Sequence, residues 1–113
     1  MADDCLFCRI VRGEIPVGLV KETDECVAFR DINPQAPVHV LVIPRAHVPS
    51  LDGVTDPALV GRLALVAAEI ARQEGIATSG YRTVINTNAD AGQTVFHLHL
   101  HLLGGRHMTW PPG

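Results

Sequence analysis

The hydrophobic positions of this chain change period several times, and each change marks an element. In CLFCRIVRGEIP (5–16), Leu6, Phe7, Ile10 and Val11 fall on one face of two short helical turns, and Gly13 and Pro16 end them. VGLVKETDECVAFRDI predicts a hairpin, with strands near 17–22 and 25–30 around a turn at Thr23-Asp24. The two prolines of NPQAP bar a helix. VHVLVIP (38–44) is β-branched and almost wholly apolar, as a central strand buried on both faces must be.

Farther on, Leu59, Leu63, Val66 and Ile70 recur at spacings of three and four, the stripe of an amphipathic helix. Thr55 or Asp56 can cap it, Pro57 suits its first turn, and Gly75 can close it. YRTVINT (81–87) reads as a strand, NADAGQ as a polar turn, and TVFHLHLHLLG (94–104) as a long final strand. The order predicts a single α+β domain over 1–113, built on a mainly antiparallel five-stranded sheet with one long and one short N-terminal helix. The proline-containing tail, 106–113, is expected to be irregular.

The final strand carries unusual chemistry. Three of the six histidines, His97, His99 and His101, stand at every second position. On a strand they share one face, while Phe96, Leu98, Leu100 and Leu102 point to the core on the other. Unpartnered imidazoles are costly to bury, so the histidine face should be a site or a wet surface. An ordinary polar face would use Thr, Lys, Glu or Ser. A metal site is a second reading, although no acid follows His101 and the nearest upstream is Asp90. Catalysis is the third and leads: imidazole titrates near neutrality and can accept a phosphoryl or nucleotidyl group, while its neighbours hold phosphate charge or move protons. The preceding NADAGQT offers small residues and a glycine that can aim backbone N–H groups at an anion.

Composition narrows the classes. With 113 residues, 47% hydrophobic and 19% charged, the chain is globular. A net charge of -3 argues against nucleic-acid backbones as partners. MADDCLFCRIVRGEIP has no signal-peptide pattern, and no apolar run approaches the roughly 18–20 residues of a membrane span. Three cysteines without export features point to reduced thiols or metal ligands, and to the cytoplasm.

The motif His97-Leu98-His99-Leu100-His101-Leu102-Leu103 resembles the His-x-His-x-His-x-x signature of the histidine triad (HIT) superfamily. AFRDINPQAPVHVLVIPRAH resembles that family's upstream block, and LLGGRHMTWPPG the ending of its Hint branch. The resemblance implies a HIT-like fold whose sheet continues across a homodimer, with the tail at the interface. It implies hydrolysis of purine nucleoside phosphoramidates and aminoacyl adenylates, releasing AMP or GMP through a nucleotidyl-histidine intermediate. Dinucleoside polyphosphate hydrolysis and a nucleotide-binding regulatory or scaffold role are the alternatives.

By position, His99 matches the nucleophile, His101 the member near the phosphate, and His39 a fourth histidine of the network. Asp31 matches the ribose-binding carboxylate; Phe7, Ile10, Phe29 and Ile32 match the walls of the base pocket. Asn86, Gly92, Gln93 and Thr94 match the phosphate-facing loop, and Trp110 a tail residue reaching the partner's site.

Cys5 and Cys8 form Cys-x-x-Cys, a spacing compatible with one zinc ion. Bacterial-type HIT proteins and galactose-1-phosphate uridylyltransferases complete such a site with histidines that correspond here to His47 and His97. The expectation is a structural zinc, with no cofactor required for the chemistry. Two buried free thiols are the simpler alternative, and Cys26 reads as core. His97 is left between two roles, zinc ligand and proton relay.

Overall fold

A computed structural model describes residues 4–113. In chain order the elements are α1 (Leu6–Val11), β1 (Leu19–Glu22), β2 (Cys26–Arg30), β3 (Val38–Pro44), α2 (Pro57–Gln73), β4 (Tyr81–Val84) and β5 (Leu100–Gly104). The five strands form one antiparallel sheet, as the sequence predicts, and their order in it is β1-β2-β3-β5-β4. Short 3₁₀ turns occupy 51–53 and 89–91. Among the described residues, no helix is long and apolar enough to cross a membrane.

Both helices start and stop where local chemistry dictates. The Asp56 side chain accepts the Ala58 N–H at 3.0 Å, Pro57 opens α2, and Gly75 follows with φ +77°. Cys5 caps α1, its sulfur accepting the Cys8 N–H at 3.4 Å. At six residues, α1 is too short to persist unaided, so tertiary contacts must hold it.

β3 is the centre of the molecule and is buried on both faces. Val40 and Val42 join Leu98, Leu100 and Leu102 beneath Leu63, Ala67 and Ile70 of α2. Leu41 and Ile43 face the other way, onto Phe7 and Ile10 of α1 and onto Phe29. Close approach matters at Gly104, where a Cβ would stand 2.5 Å from Cδ1 of Ile76.

The last strand departs from expectation. β5 begins only at Leu100, and residues 95–97 bend instead of extending. The Leu98 N–H leaves the sheet pattern and bonds to the Val48 carbonyl at 2.7 Å. Phe96, expected in the core, is thrown outward and half exposed. The expectation that the histidine face would be a site or a wet surface on account of unpartnered rings also needs correction. His97 and His99 are buried, and they are partnered. β4 likewise ends at Val84, short of the predicted 87, and β1 starts at Leu19 instead of 17. The tail, 106–113, forms neither helix nor strand.

Candidate active site

The face of the sheet opposite α2 carries two histidine groups with different jobs. The first surrounds His99 and His101. Residue parity on β3 and β5 places Leu41 beside His101 in the ladder and carries His39 to the same side. A cavity of about 530 Å³ opens here, within the range of small-molecule sites. Phe7, Ile10, Phe29, Asp31, Ile32, Thr94, His99 and His101, all singled out from the sequence, line it. Ile15, Val17, Leu41 and Val95 line it too and were not foreseen; for Leu41 the available signal was its parity with His39.

Hydrogen bonding assigns the tautomers. Nδ1–H of His99 donates to the His97 carbonyl at 2.7 Å, which leaves Nε2 as the lone-pair nitrogen. Among the described residues, no buried side-chain nitrogen or oxygen lacks a partner. The unpartnered Nε2 of His99 is therefore not sealed in, and it reaches the cavity that the residue lines. A second chain of bonds sets His101. The Gln35 backbone N–H donates to Nδ1 of His39 at 3.0 Å, so the His39 proton lies on Nε2. That nitrogen donates to Nδ1 of His101 at 2.9 Å, which puts the His101 proton on Nε2. His99 thus presents an acceptor and its neighbour, with ring centroids 5.1 Å apart, presents a donor.

Electrostatics keeps His101 neutral. Burial, reinforced by His99 and His39 and opposed by Asp31, lowers the His101 pKa to about 4. Burial also lowers that of His39, against the pull of Asp31. Asp31 divides its oxygens: Oδ1 accepts the Asn33 N–H at 2.8 Å, which shapes the turn, and Oδ2 lies 3.4 Å from His39 Nε2. The residue still lines the cavity while it shapes the turn.

The second group is Cys5, Cys8, His47 and His97, whose ligand atoms all lie within 4.8 Å of one another. Cys8 Sγ stands 3.3 Å from His47 Nδ1 and 3.5 Å from His97 Nδ1, and the two nitrogens are 3.3 Å apart. Cys5 Sγ is 3.4 Å from His97 Nδ1. Tetrahedral zinc, with bonds of about 2.3 Å to sulfur and about 2.0–2.1 Å to nitrogen, requires edges of roughly 3.3–3.6 Å for these pairs. The donor set and the spacing both fit zinc.

His97 Nε2–H donates to the Pro44 carbonyl at 2.8 Å, so its Nδ1 lone pair is the one aimed at the cluster. The ring is wholly buried, and burial lowers its pKa despite the Pro44 bond. Both His97 nitrogens are thus committed, Nε2 to Pro44 and Nδ1 to the cluster.

Other expected residues lie elsewhere. Asn86, Gly92 and Gln93 do not line the cavity. The Gln93 amide is consumed within its own loop, accepting the Asn88 N–H and donating to the carbonyls of Pro49 and Val95. Gly92 supplies the left-handed turn there, with φ +85°. Trp110 is 83% exposed and away from the cavity. Cys26 is core, and burial pushes its thiol up.

Comparison with known proteins agrees with this arrangement. Residues 12–108 match the HIT domain family. The purine nucleoside phosphoramidase of Escherichia coli K12 is 50% identical over 108 residues, spanning 94% of this chain and 91% of that one. A HIT family hydrolase from Legionella pneumophila has a TM-score of 0.95 at 50% identity, covering 97% of this chain and 100% of that one. A zinc-bound histidine triad family protein from Mycobacterium smegmatis has a TM-score of 0.82 at 35% identity, covering 94% and 78%. With its three histidines, its antiparallel sheet and a match over most of its length, the chain belongs to the HIT domain family.

Proposed function

We propose that this protein is a purine nucleoside phosphoramidase-type hydrolase that works through a nucleotidyl-histidine intermediate. The observation that carries the reading is the pair of imidazoles that line one cavity, His99 with Nδ1 held by the His97 carbonyl and His101 with Nδ1 held by His39. The name and 50% identity of the Escherichia coli relative support the substrate class.

In the first step His99 Nε2 attacks the α-phosphorus, forming a P–N bond while the bond to the leaving group breaks; a leaving amine takes a proton from solvent and departs neutral, and an acyl group departs as a carboxylate. Positive charge on the ring is shared with Nδ1–H, which the His97 carbonyl stabilises. His101 Nε2–H donates to a phosphoryl oxygen, and His39 holds His101 in that tautomer. Water then attacks phosphorus, the P–N bond breaks, and AMP or GMP leaves with His99 restored. Phe7, Ile10, Phe29 and Ile32 wall the base, and Asp31 accepts the ribose hydroxyls. Thr94 borders the phosphate, and Asn86, Gly92 and Gln93 belong to the loop behind it, which Gln93 ties to the backbone. Zinc on Cys5, Cys8, His47 and His97 would supply a fixed anchor, and no bond to substrate is assigned to it.

The working unit is a single-domain homodimer in which the free outer edge of β4 continues the sheet and Trp110 reaches the partner's site. Sedimentation at the monomer mass would refute the dimer.

The test of the activity is His99→Ala assayed with adenosine 5′-monophosphoramidate, together with trapping of the intermediate on the unaltered protein by alkaline denaturation, under which a P–N bond to histidine survives. Turnover should fall by at least about a thousandfold, since a lost nucleophile removes the covalent path. Retained turnover refutes the mechanism, and faster cleavage of dinucleoside polyphosphates refutes the substrate.

A further inference from the structure

The peptide between His97 and Leu98 is the one that orients the proposed nucleophile, yet the sheet does not hold it. The β5 ladder begins at Leu100, two residues beyond this peptide. What holds it instead runs through the cysteine–histidine cluster. The Leu98 N–H donates to the carbonyl of Val48, the residue after the ligand His47. On the other edge of the same peptide, the His97 carbonyl accepts Nδ1–H of His99. The His97 side chain meets the cluster through Nδ1 and Pro44 through Nε2. A peptide unit is planar and moves as a body, so fixing His47 and His97 relative to each other fixes the carbonyl that His99 needs.

The same cluster anchors the cavity wall. Cys5 and Cys8 bracket the start of α1, and Phe7 between them meets the His99 ring edge-on, with centroids 5.1 Å apart.

We propose that the Cys5–Cys8–His47–His97 centre, when loaded with zinc, is the positioning device for the nucleophile. The metal locks the 97–98 peptide, and that peptide keeps His99 in the tautomer whose Nε2 is free to attack. His97 and Cys8 are thus positioning residues that act through His99. Without the metal, the four donor atoms are tied by hydrogen bonds among thiols and imidazoles, which are weaker and mobile; the peptide then loses its fixed orientation. The inference rests on the proposed role of His99, but its readout does not require turnover.

The experiment compares zinc-loaded protein with protein stripped by a chelator under reducing conditions. Long-range ¹H–¹⁵N spectra of the imidazoles report the His99 tautomer directly, and AMP titration reports the cavity. Loaded protein should show a single Nδ1–H tautomer for His99. Stripped protein should remain folded, show tautomer exchange at His99, and lose about 10- to 100-fold in kcat, with a smaller loss in AMP affinity. Cys8→Ala should behave like stripped protein, and Cys8→Asp, which offers zinc a carboxylate, should recover the metal and the tautomer together.

An unchanged tautomer and kcat in stripped, folded protein would overturn the inference. So would global unfolding on metal removal, because the metal would then be supporting the whole domain and not this peptide. Loaded protein that shows the expected tautomer but cleaves no phosphoramidate would refute the proposed activity and leave the inference standing.

Discussion

On the α2 side of the sheet, Val40, Val42, Leu100 and Leu102 meet Leu63, Ala67 and Ile70, and every contact is aliphatic. On the other side, Leu41, Ile43, Phe7 and Phe29 form a smaller apolar cluster that gives way to His39, His97, His99 and His101. The first face draws its stability from burying area, which is tolerant of detail and indifferent to protonation. The second depends on direction: each imidazole has its tautomer set by one neighbour, and a fault in one link reaches the next. A single strand pair, β3 and β5, serves both faces because alternate residues point opposite ways. The helix face therefore acts as the rigid backing for a site whose geometry is made of hydrogen bonds.

Mutations should separate the faces. Ile70→Ala, at a fully buried position under α2, should cost about 2–5 kcal/mol of stability in denaturant melts. The fraction that stays folded should keep its kcat; a parallel loss of kcat would mean that the faces are not independent. On the opposite face, His39→Ala should cost less, about 1–3 kcal/mol through the lost bonds to Gln35 and His101, and lower kcat about 10- to 100-fold, by freeing the His101 tautomer. His39→Gln retains an amide acceptor and donor and should recover part of the loss, which a merely space-filling role would not predict.

Acid should act on the histidine face first. His39, His97 and His101 all have pKa values lowered by burial, so the unfolded chain binds more protons than the native one once the pH falls below about 6.5. Their contribution is intact above that point and is lost progressively as the pH drops toward the His101 value of about 4. Unfolding midpoints measured from pH 7 to 4 should decline over this window. A flat profile would contradict the buried neutral rings. The smallest effect is expected at Ile32, which is 99% exposed at the cavity rim. Ile32→Ala should leave stability within about 0.5 kcal/mol and raise KM a few-fold. An unchanged KM would remove Ile32 from the base wall.

Much of this was legible in the chain. The cap at Asp56, the stripe from Leu59 to Ile70 and the doubly apolar 38–44 are local signals, and local physics honours them. The period-two histidines also held from 97 onward as a shared side. Phe96 escaped because strand periodicity assumes an unbroken strand, and a bend at 95–97 cancels it without any proline or glycine to announce the break. Gln93 was placed beside phosphate by motif position, yet its amide is bound inside the loop by partners at Pro49 and Asn88 that no local pattern names.

The sequence by itself determined the inventory and the alternation: which side chains could titrate or ligate, and which would share a side of a strand. Those properties depend on residue type and near neighbours. The tertiary structure alone decided the division of labour among chemically identical imidazoles. His97 faces two sulfurs and a proline carbonyl, His99 faces the carbonyl of His97 on the bend before the strand, and His101 faces His39, 62 positions away in the chain. A ring's tautomer is fixed by whichever acceptor meets its proton, and for these rings the decisive neighbours come from β3, the loop that follows it, and α1.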